Sequence, residues 1–444
     1  MSRSNRTGAN NKAANPKSYR MELVVVRSTN TKGTGNIPFQ FDITSAVASI
    51  EVLESIDSPG IIITLGIGDS INLIEKIKLS GSEELVIKLS RDSNTKGKEK
   101  LAFKCRIAEI FNYTRLKAGM QTYQLRCVSE HMYNNQLNTL RRSFQGTIGD
   151  IVSNILSSDL QVRIPKPEVD KSTKDTIKGI FPRLRPVDSI NWLMRNAYSN
   201  GTQFYFYETL ADGIKFKSYK DMVDKDIYEE YNYTPFKKEG IEQETDEGYE
   251  QERLKCVSMN SDYNVSKYTS SSKGAYASTL HTIDIGKKEY TKTIYNYDNH
   301  ISHSLNKHKP FGTTERAQLL DRTFNEHKES KNYFVNLNSS AFDKHSNYHS
   351  PGGDIDLPKS LAYVENLNYM QHEIEIPGDF GLTVGMKIKL NVTKAQEESK
   401  GSQIDKLQSG VYLVTEIQHN FNDGFMQLVR IQKDSSEVSL DATE

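Results

Sequence analysis

This chain lacks an excess of charge of either sign. Lys+Arg and Asp+Glu both number 57 in 444 residues, a formal net charge of zero. A dedicated nucleic-acid binder carries a basic excess, because neutralised phosphates dominate its affinity; that class is set aside. Cysteine is scarce as well. Cys105, Cys127 and Cys256 are odd in number and form no C-x-x-C pair, which argues against a disulfide framework and for buried thiols in a reducing compartment. No apolar run reaches the ~18–20 residues of a membrane span. Residues 1–18 are basic through Arg3, Arg6, Lys12 and Lys17 but lack the apolar core of a signal peptide. Stable membrane insertion is not expected, residues 1–18 read as a disordered arm, and the sequon at Asn264 is read as chance.

The motifs of catalysis are absent too. Gly66-Ile67-Gly68 follows a candidate strand, but Asp69-Ser70-Ile71 supplies no third glycine of a dinucleotide loop, and there is no phosphate-binding G-x-x-x-x-G-K-S/T run. His372-Glu373 lacks the second histidine of a zincin and sits in an alternating, strand-like stretch. His345 and His349 are spaced i,i+4 in a loop rich in Gly, Pro and Ser. His300, His303 and His308 form a cluster that could ligate zinc or iron if a third ligand converged, yet beside Lys307 and Lys309 they read first as loop histidines. His419 reads as a packed, hydrogen-bonded strand residue, and the lone Trp192 as helix packing. No carboxylate pair stands out as a glycosidase dyad. The reading is a non-enzyme with no catalytic, cofactor-binding or metal residues.

What is present is β signal. The length exceeds what one core usually supports, and 23 Tyr and 17 Phe enrich a chain of modest apolar content in strand-favouring residues. Strand patterns separated by turns run through 19–135. A small α+β stretch follows at 136–220. Its first helix is signalled by the cap Thr147-Ile148-Gly149-Asp150, its second by Pro186-Val187-Asp188 with Asn200-Gly201 as terminator, and an aromatic hairpin turns at Ala211-Asp212-Gly213. The segment 221–252 is acidic and reads as a surface connection. Strands resume over 253–435, with an insertion at about 298–358 that includes a predicted helix at 313–327 and a loop at 338–358; 436–444 is a polar tail. A faint repeat relates Ala108-Glu109-Ile110 and Tyr123-Gln124-Leu125-Arg126 to Thr415-Glu416-Ile417 and Met426-Gln427-Leu428-Val429-Arg430.

The last seventy residues carry the most specific pattern. Ile374-Glu375-Ile376 leads into Pro377-Gly378-Asp379, then Val384-Gly385-Met386-Lys387-Ile388. Ser409-Gly410-Val411-Tyr412-Leu413-Val414 and a closing hairpin over Asp423-Gly424 follow. This succession, with the two helices of 136–220, resembles the central baseplate hub proteins of contractile-tail phages and the related hub half of type VI secretion spike proteins. The resemblance implies a β-rich α+β fold: two antiparallel β-barrels like those of the tail tube, with a small α+β domain between them. It further implies a homotrimer in the virion tail baseplate, assembled in the host cytoplasm. Its partners would be a spike protein trimer, the tail tube or its initiator ring and the baseplate wedge proteins, with DNA only in transit through the lumen. Secretion spike proteins continue into further domains, so the spike is expected on a separate polypeptide. The alternatives are the hub of a non-phage contractile injection system and a tail-tip cell-wall hydrolase.

Overall fold

Alternation of apolar and polar residues makes most of these segments strands, and the computed structural model assembles them around one long sheet. It describes residues 16–28, 39–91, 98–117, 119–163, 165–173, 176–234, 251–263, 267–285, 287–308, 318–337, 355–394 and 404–437. The sheet has thirteen strands. Its path runs Ser258–Tyr263, Met370–Pro377, Phe425–Lys433, Gly410–Phe421, Val47–Ser55, Ile62–Asp69, Met120–Ser129, Lys100–Lys117, Glu84–Ser90, Arg20–Ser28 and Phe39–Asp42. Lys387–Val392 branches off the start of Gly410–Phe421 and carries Ile227–Tyr233 beside it.

This path is one pattern used twice. In the first unit the order is Val47–Ser55, Ile62–Asp69, Met120–Ser129, Lys100–Lys117, Glu84–Ser90, Arg20–Ser28. In the second it is Ser258–Tyr263, Met370–Pro377, Phe425–Lys433, Gly410–Phe421, Lys387–Val392, Ile227–Tyr233. The six strands also follow the same order along the chain in both units. Only the last pairing differs, antiparallel in the first unit and parallel in the second. The repeat extends to single residues. Glu109 pairs across the strands with Arg126, and Glu416 with Arg430; each glutamate stands just after a β-bulge and forms an ion pair, of 2.8 and 2.9 Å.

Between the units, residues 136–220 hold helices and short strands. Thr147 caps Ile148–Asn154, its hydroxyl accepting from Asp150 N at 3.2 Å. The helix widens into a π-turn at Ile155–Asp159. Pro186–Met194 packs over a four-stranded sheet that includes Thr202–Thr209 and Gly213–Ser218. Trp192 meets Phe144 edge-on, with centroids 6.1 Å apart.

Several expectations are corrected. The predicted helix at 313–327 is, over its described part, a short hairpin of Gln318–Leu319 and Arg322–Thr323 followed by the turn Phe324–Glu326. Leu320 and Asp321 both take positive φ at its tip, so Leu319 and Leu320 face solvent rather than one buried helical stripe. The acidic connection 221–252 contributes the strand Ile227–Tyr233, whose Tyr231 is buried. Within 253–435, Ala277–Asp284, Glu289–Asn296 and Asn332–Leu337 leave the main sheet and form a three-stranded sheet of their own. The loop expected at 338–358 becomes helix from Asp356, in Asp356–Leu367, while 338–354 lies outside the described residues. Asn200-Gly201 turns the hairpin between Tyr198–Ser199 and Thr202–Thr209 instead of ending the helix. At the ends, Pro16 O accepts from the Arg91 guanidinium and Lys17 O from Phe425 N, so the arm's last residues lie on the sheet. The tail's Ser436 is buried and pairs with His308.

Candidate functional site

The two units join strand to strand around a buried polar network. Residues 416–421 of Gly410–Phe421 pair antiparallel with 55–50 of Val47–Ser55, so a strand from the chain's end completes a sheet begun near its start. Alternation sends Ile50, Val52 and Glu54 inward from one side, and Ile417, His419 and Phe421 from the other. Two of these six are polar, and burial obliges them to find partners.

They find each other. His419 Nε2 lies 2.8 Å from Glu54 Oε1, which also accepts from Leu210 N at 3.0 Å. Gln427, inward on the neighbouring strand, accepts from Asp379 N at 2.9 Å and donates to Asp379 O at 2.8 Å. A backbone N–H can only donate, so the Gln427 amide orientation is fixed. Its remaining hydrogen points to His419 Nδ1, 3.0 Å away. The imidazole therefore carries its proton on Nε2 and donates to Glu54. Asp379, the acid of the Pro377-Gly378-Asp379 turn, accepts in turn from Tyr228 OH at 2.9 Å. One chain of hydrogen bonds thus ties Glu54 of the first unit to His419, Gln427, Asp379 and Tyr228 of the second. Stacked Phe421 and Phe425, 4.3 Å apart, and Phe380 seal it from solvent. Glu54 Oε2 is buried and unpartnered among the described residues.

Two more buried networks lie at the far end of the same strands. Lys433 is fully buried, donating to Leu407 O at 2.7 Å and Ser409 O at 2.9 Å with its ammonium 4.8 Å over the Tyr412 ring. Burial pushes its pKa down to about 7. His372 sits between Ser261 Oγ and Tyr412 OH, both at 2.9 Å, and burial, helped by the charge of Lys433, lowers it to about 4. Asp434 is buried and raised above the usual carboxylate range by desolvation. It accepts from Tyr219 OH at 2.7 Å and Leu305 N at 3.0 Å, so it pins the α+β part and the insertion to the last strand.

The histidines singled out in the sequence separate into different roles. His419 is the hydrogen-bonded strand residue expected, at the seam. His300 turns back on its own helix, Nδ1 2.8 Å from Asn296 O. His303 lies 3.9 Å from Asp224, its pKa lowered chiefly by burial. His308 pairs through its backbone with Ser436. The three do not converge on a common point, and among the described residues no three His, Cys, Asp or Glu side chains group as a metal site. His345 and His349 lie outside the described residues. Gly66-Ile67-Gly68 is the body of a strand. All three cysteines are buried and free. A cavity of about 490 Å³ opens between Asp356–Leu367 and the α+β part, lined by Ile56, Met194, Tyr198, Phe204, Leu361 and Val364 among others. Among the described residues no helix is long and apolar enough to cross a membrane.

Glu54, Gln427, Lys433 and Asp434 were not singled out in the sequence. The signal was available for three of them. Glu54, Gln427 and Lys433 occupy inward positions in otherwise apolar alternations, where a polar residue must be partnered.

No protein-family model and no curated protein matches the chain. Among solved structures, the tail protein from Neisseria meningitidis MC58 is similar over 94% of this chain and 97% of its own, at 10% identity and a TM-score of 0.52. The 43 kDa tail protein of prophage MuSo2 from Shewanella oneidensis aligns over 94% and 100%, at 7% identity and a TM-score of 0.49. The E. coli c3393 protein, a component of the type VI secretion system, aligns over 89% and 76%, at 10% identity and a TM-score of 0.42. At such identities the likeness concerns the fold, and the chain has the fold of the Neisseria tail protein.

Proposed function

We propose that this chain is a structural tail protein, the trimeric central hub of a contractile phage baseplate. In this reading three copies form a ring that sits between a sixfold tail tube and a threefold spike and encloses part of the DNA path. The observation that carries the reading is the doubled strand path, two six-strand units joined edge to edge in one sheet. A ring of three such chains presents six similar units, which satisfies sixfold and threefold neighbours with one polypeptide. The layout that follows is a first unit over 20–129, an α+β part over 136–220 and a second unit over 227–433 that is interrupted by an insertion.

The seam fits the task. A hub under the load of a contracting tail needs its two units held at a fixed angle, and a buried, geometrically exacting polar chain flanked by aromatics specifies one docking more sharply than apolar contact alone. The reading assigns the protein no catalytic step. Its partners are a spike trimer, the tail tube or its initiator ring and the wedge proteins, and its place is the virion tail after assembly in the host cytoplasm. Light scattering of the purified chain, alone and with the spike chain, tests it. The expected masses are those of three copies and of a three-plus-three complex. A monomer that ignores the spike chain would overturn the reading.

A further inference from the structure

The cavity beside Asp356–Leu367 runs along a strand edge. Gln203, Phe204, Tyr205 and Phe206 of Thr202–Thr209 all line it. Neighbouring side chains of a strand point to opposite faces, so a cavity that successive residues all reach follows the edge and not one face. One edge of Thr202–Thr209 is taken by Gly213–Ser218, while on the other Tyr198–Ser199 pairs only with 202–203. The turn between these last two strands fixes which backbone groups face the cavity. Asn200 and Gly201 both have positive φ, 52° and 78°, as a two-residue hairpin turn requires. The pair that closes such a turn, here Ser199 and Thr202, exchanges hydrogen bonds, and bonded and unbonded pairs alternate along the ladder. The N–H and C=O of Phe204 and Phe206 therefore point sideways, toward the cavity. Among the described residues no strand covers them.

Helices wall this edge on both faces. Leu193 and Met194 pack in the cluster that holds Phe204 and Phe206, and Leu367 in the one that holds Tyr205. Leu361 and Val364, 39% and 42% exposed, stand at the lip. Three polar groups there lack partners. Gln203 donates through Nε2 to Tyr205 OH at 2.7 Å and keeps Oε1 buried and unbonded among the described residues. Arg195 and Asp57 are exposed at the rim and make no ion pair among the described residues. Desolvation nevertheless raises the Asp57 carboxyl above its ordinary value. We propose that this slot binds an extended segment of another polypeptide, which adds a strand to the open edge at 204–206 between the two helices. The segment carries a short apolar run, an acid that meets Arg195 and a base that meets Asp57.

A strand is the occupant that fits. An open edge offers main-chain hydrogen bonds to any extended chain, and the pockets beside it select the side chains. Both faces of an added strand would meet apolar walls here, so the segment is a continuous apolar run rather than an alternating one. The volume of about 490 Å³ falls in the range of ligand sites. A helix bonds its backbone internally, and an apolar small molecule has no backbone to offer, so neither would satisfy Phe204 and Phe206. The lining comes from several parts of the chain: Ile56 after Val47–Ser55, Tyr198 in the α+β part, Leu361 and Gln432. A bound segment would fasten these parts together. Strand addition here needs only the slot and does not depend on the hub reading.

The test uses the full chain and short blocked peptides. Each has an acid at one end and a base at the other, in both orders, around an apolar run drawn from Val, Ile, Leu, Phe and Thr. Titration reaches about 1 mM, enough to register weak segment binding. At least one peptide is expected to bind and, at saturation, to slow exchange of the Phe204 and Phe206 amides about tenfold. Methylating the peptide nitrogens that face the edge is expected to weaken it about tenfold, while methylating the alternate ones leaves it bound. Leu361→Glu and Val364→Glu, at partly exposed positions, are expected to abolish binding with a thermal midpoint close to the parent's. Failure of every peptide, or binding that survives both substitutions, would overturn the site. Binding indifferent to every methylation would show a side-chain pocket and overturn strand addition. Slow exchange of the two amides without peptide, lost on dilution, would mean that a second copy of the chain fills the slot and would overturn the separate partner.

Discussion

Gln427 makes three hydrogen bonds in a buried site, and its removal isolates the donors and acceptors around it. Gln427→Leu would leave Asp379 N and O and His419 Nδ1 unpaired. The expected loss is about 2–4 kcal/mol, read as a lower urea midpoint with an unchanged slope. The buried bases make stability depend on pH. His372 is held near 4 against an ordinary value of about 6.5, so the unfolded chain binds the proton first on acidification. The stability it confers is present above pH 6.5 and is lost as the pH falls toward 4. His372→Gln is expected to remove that loss, which is at most roughly 3 kcal/mol. Lys433, held near 7 against about 10.4, acts in an alkaline window. Between pH 7 and 10 the unfolded chain again binds more protons, so stability rises with pH. Relative to Lys433→Met, the unsubstituted protein should gain about 3 kcal/mol between pH 7 and 9.5, measured by urea unfolding of both proteins. A flat difference would mean that Lys433 titrates as an exposed lysine does. At this scale the sequence was legible in phase and not in partner. It placed His419 on a strand as a packed, bonded residue, but His419 and Glu54 are 365 positions apart.

Among the elements, those built from near neighbours were legible. The hairpin over Asp423-Gly424, the aromatic hairpin of 202–218 and the Thr147 cap follow from turn and capping chemistry within a few residues. The Pro377-Gly378-Asp379 turn has a definite packing reason for its glycine, because a Cβ there would collide with the Phe425 ring. Gly378→Ala should push Phe425 from the seam and cost more than about 1–3 kcal/mol, the usual range for overpacking; a thermal midpoint within a degree of the parent would contradict this packing. Elements that depend on distant partners were hidden. Ile227–Tyr233 lies in an acidic run, and only its parallel pairing with Lys387–Val392 shows it to be a strand. Ala277–Asp284 alternates like a strand of the main sheet, yet it pairs with Glu289–Asn296 and Asn332–Leu337 instead. The helical spacing of Leu319, Leu320 and Phe324 was overruled by two residues at positive φ.

For the whole molecule, the faint repeat noticed in the sequence becomes a duplicated topology. It was weak in the sequence because the 106 residues 264–369 separate two strands whose counterparts, Val47–Ser55 and Ile62–Asp69, are joined by a short turn. The doubling is the property on which the proposed ring depends: two similar units per chain and a seam that joins them within the chain. End-on cryo-electron microscopy averages of the purified assembly test this most directly. The account predicts a closed ring of threefold symmetry around an opening, with six similar densities on the face formed by the paired sheets. A compact particle without an opening, or a ring whose copies do not number three, would contradict it.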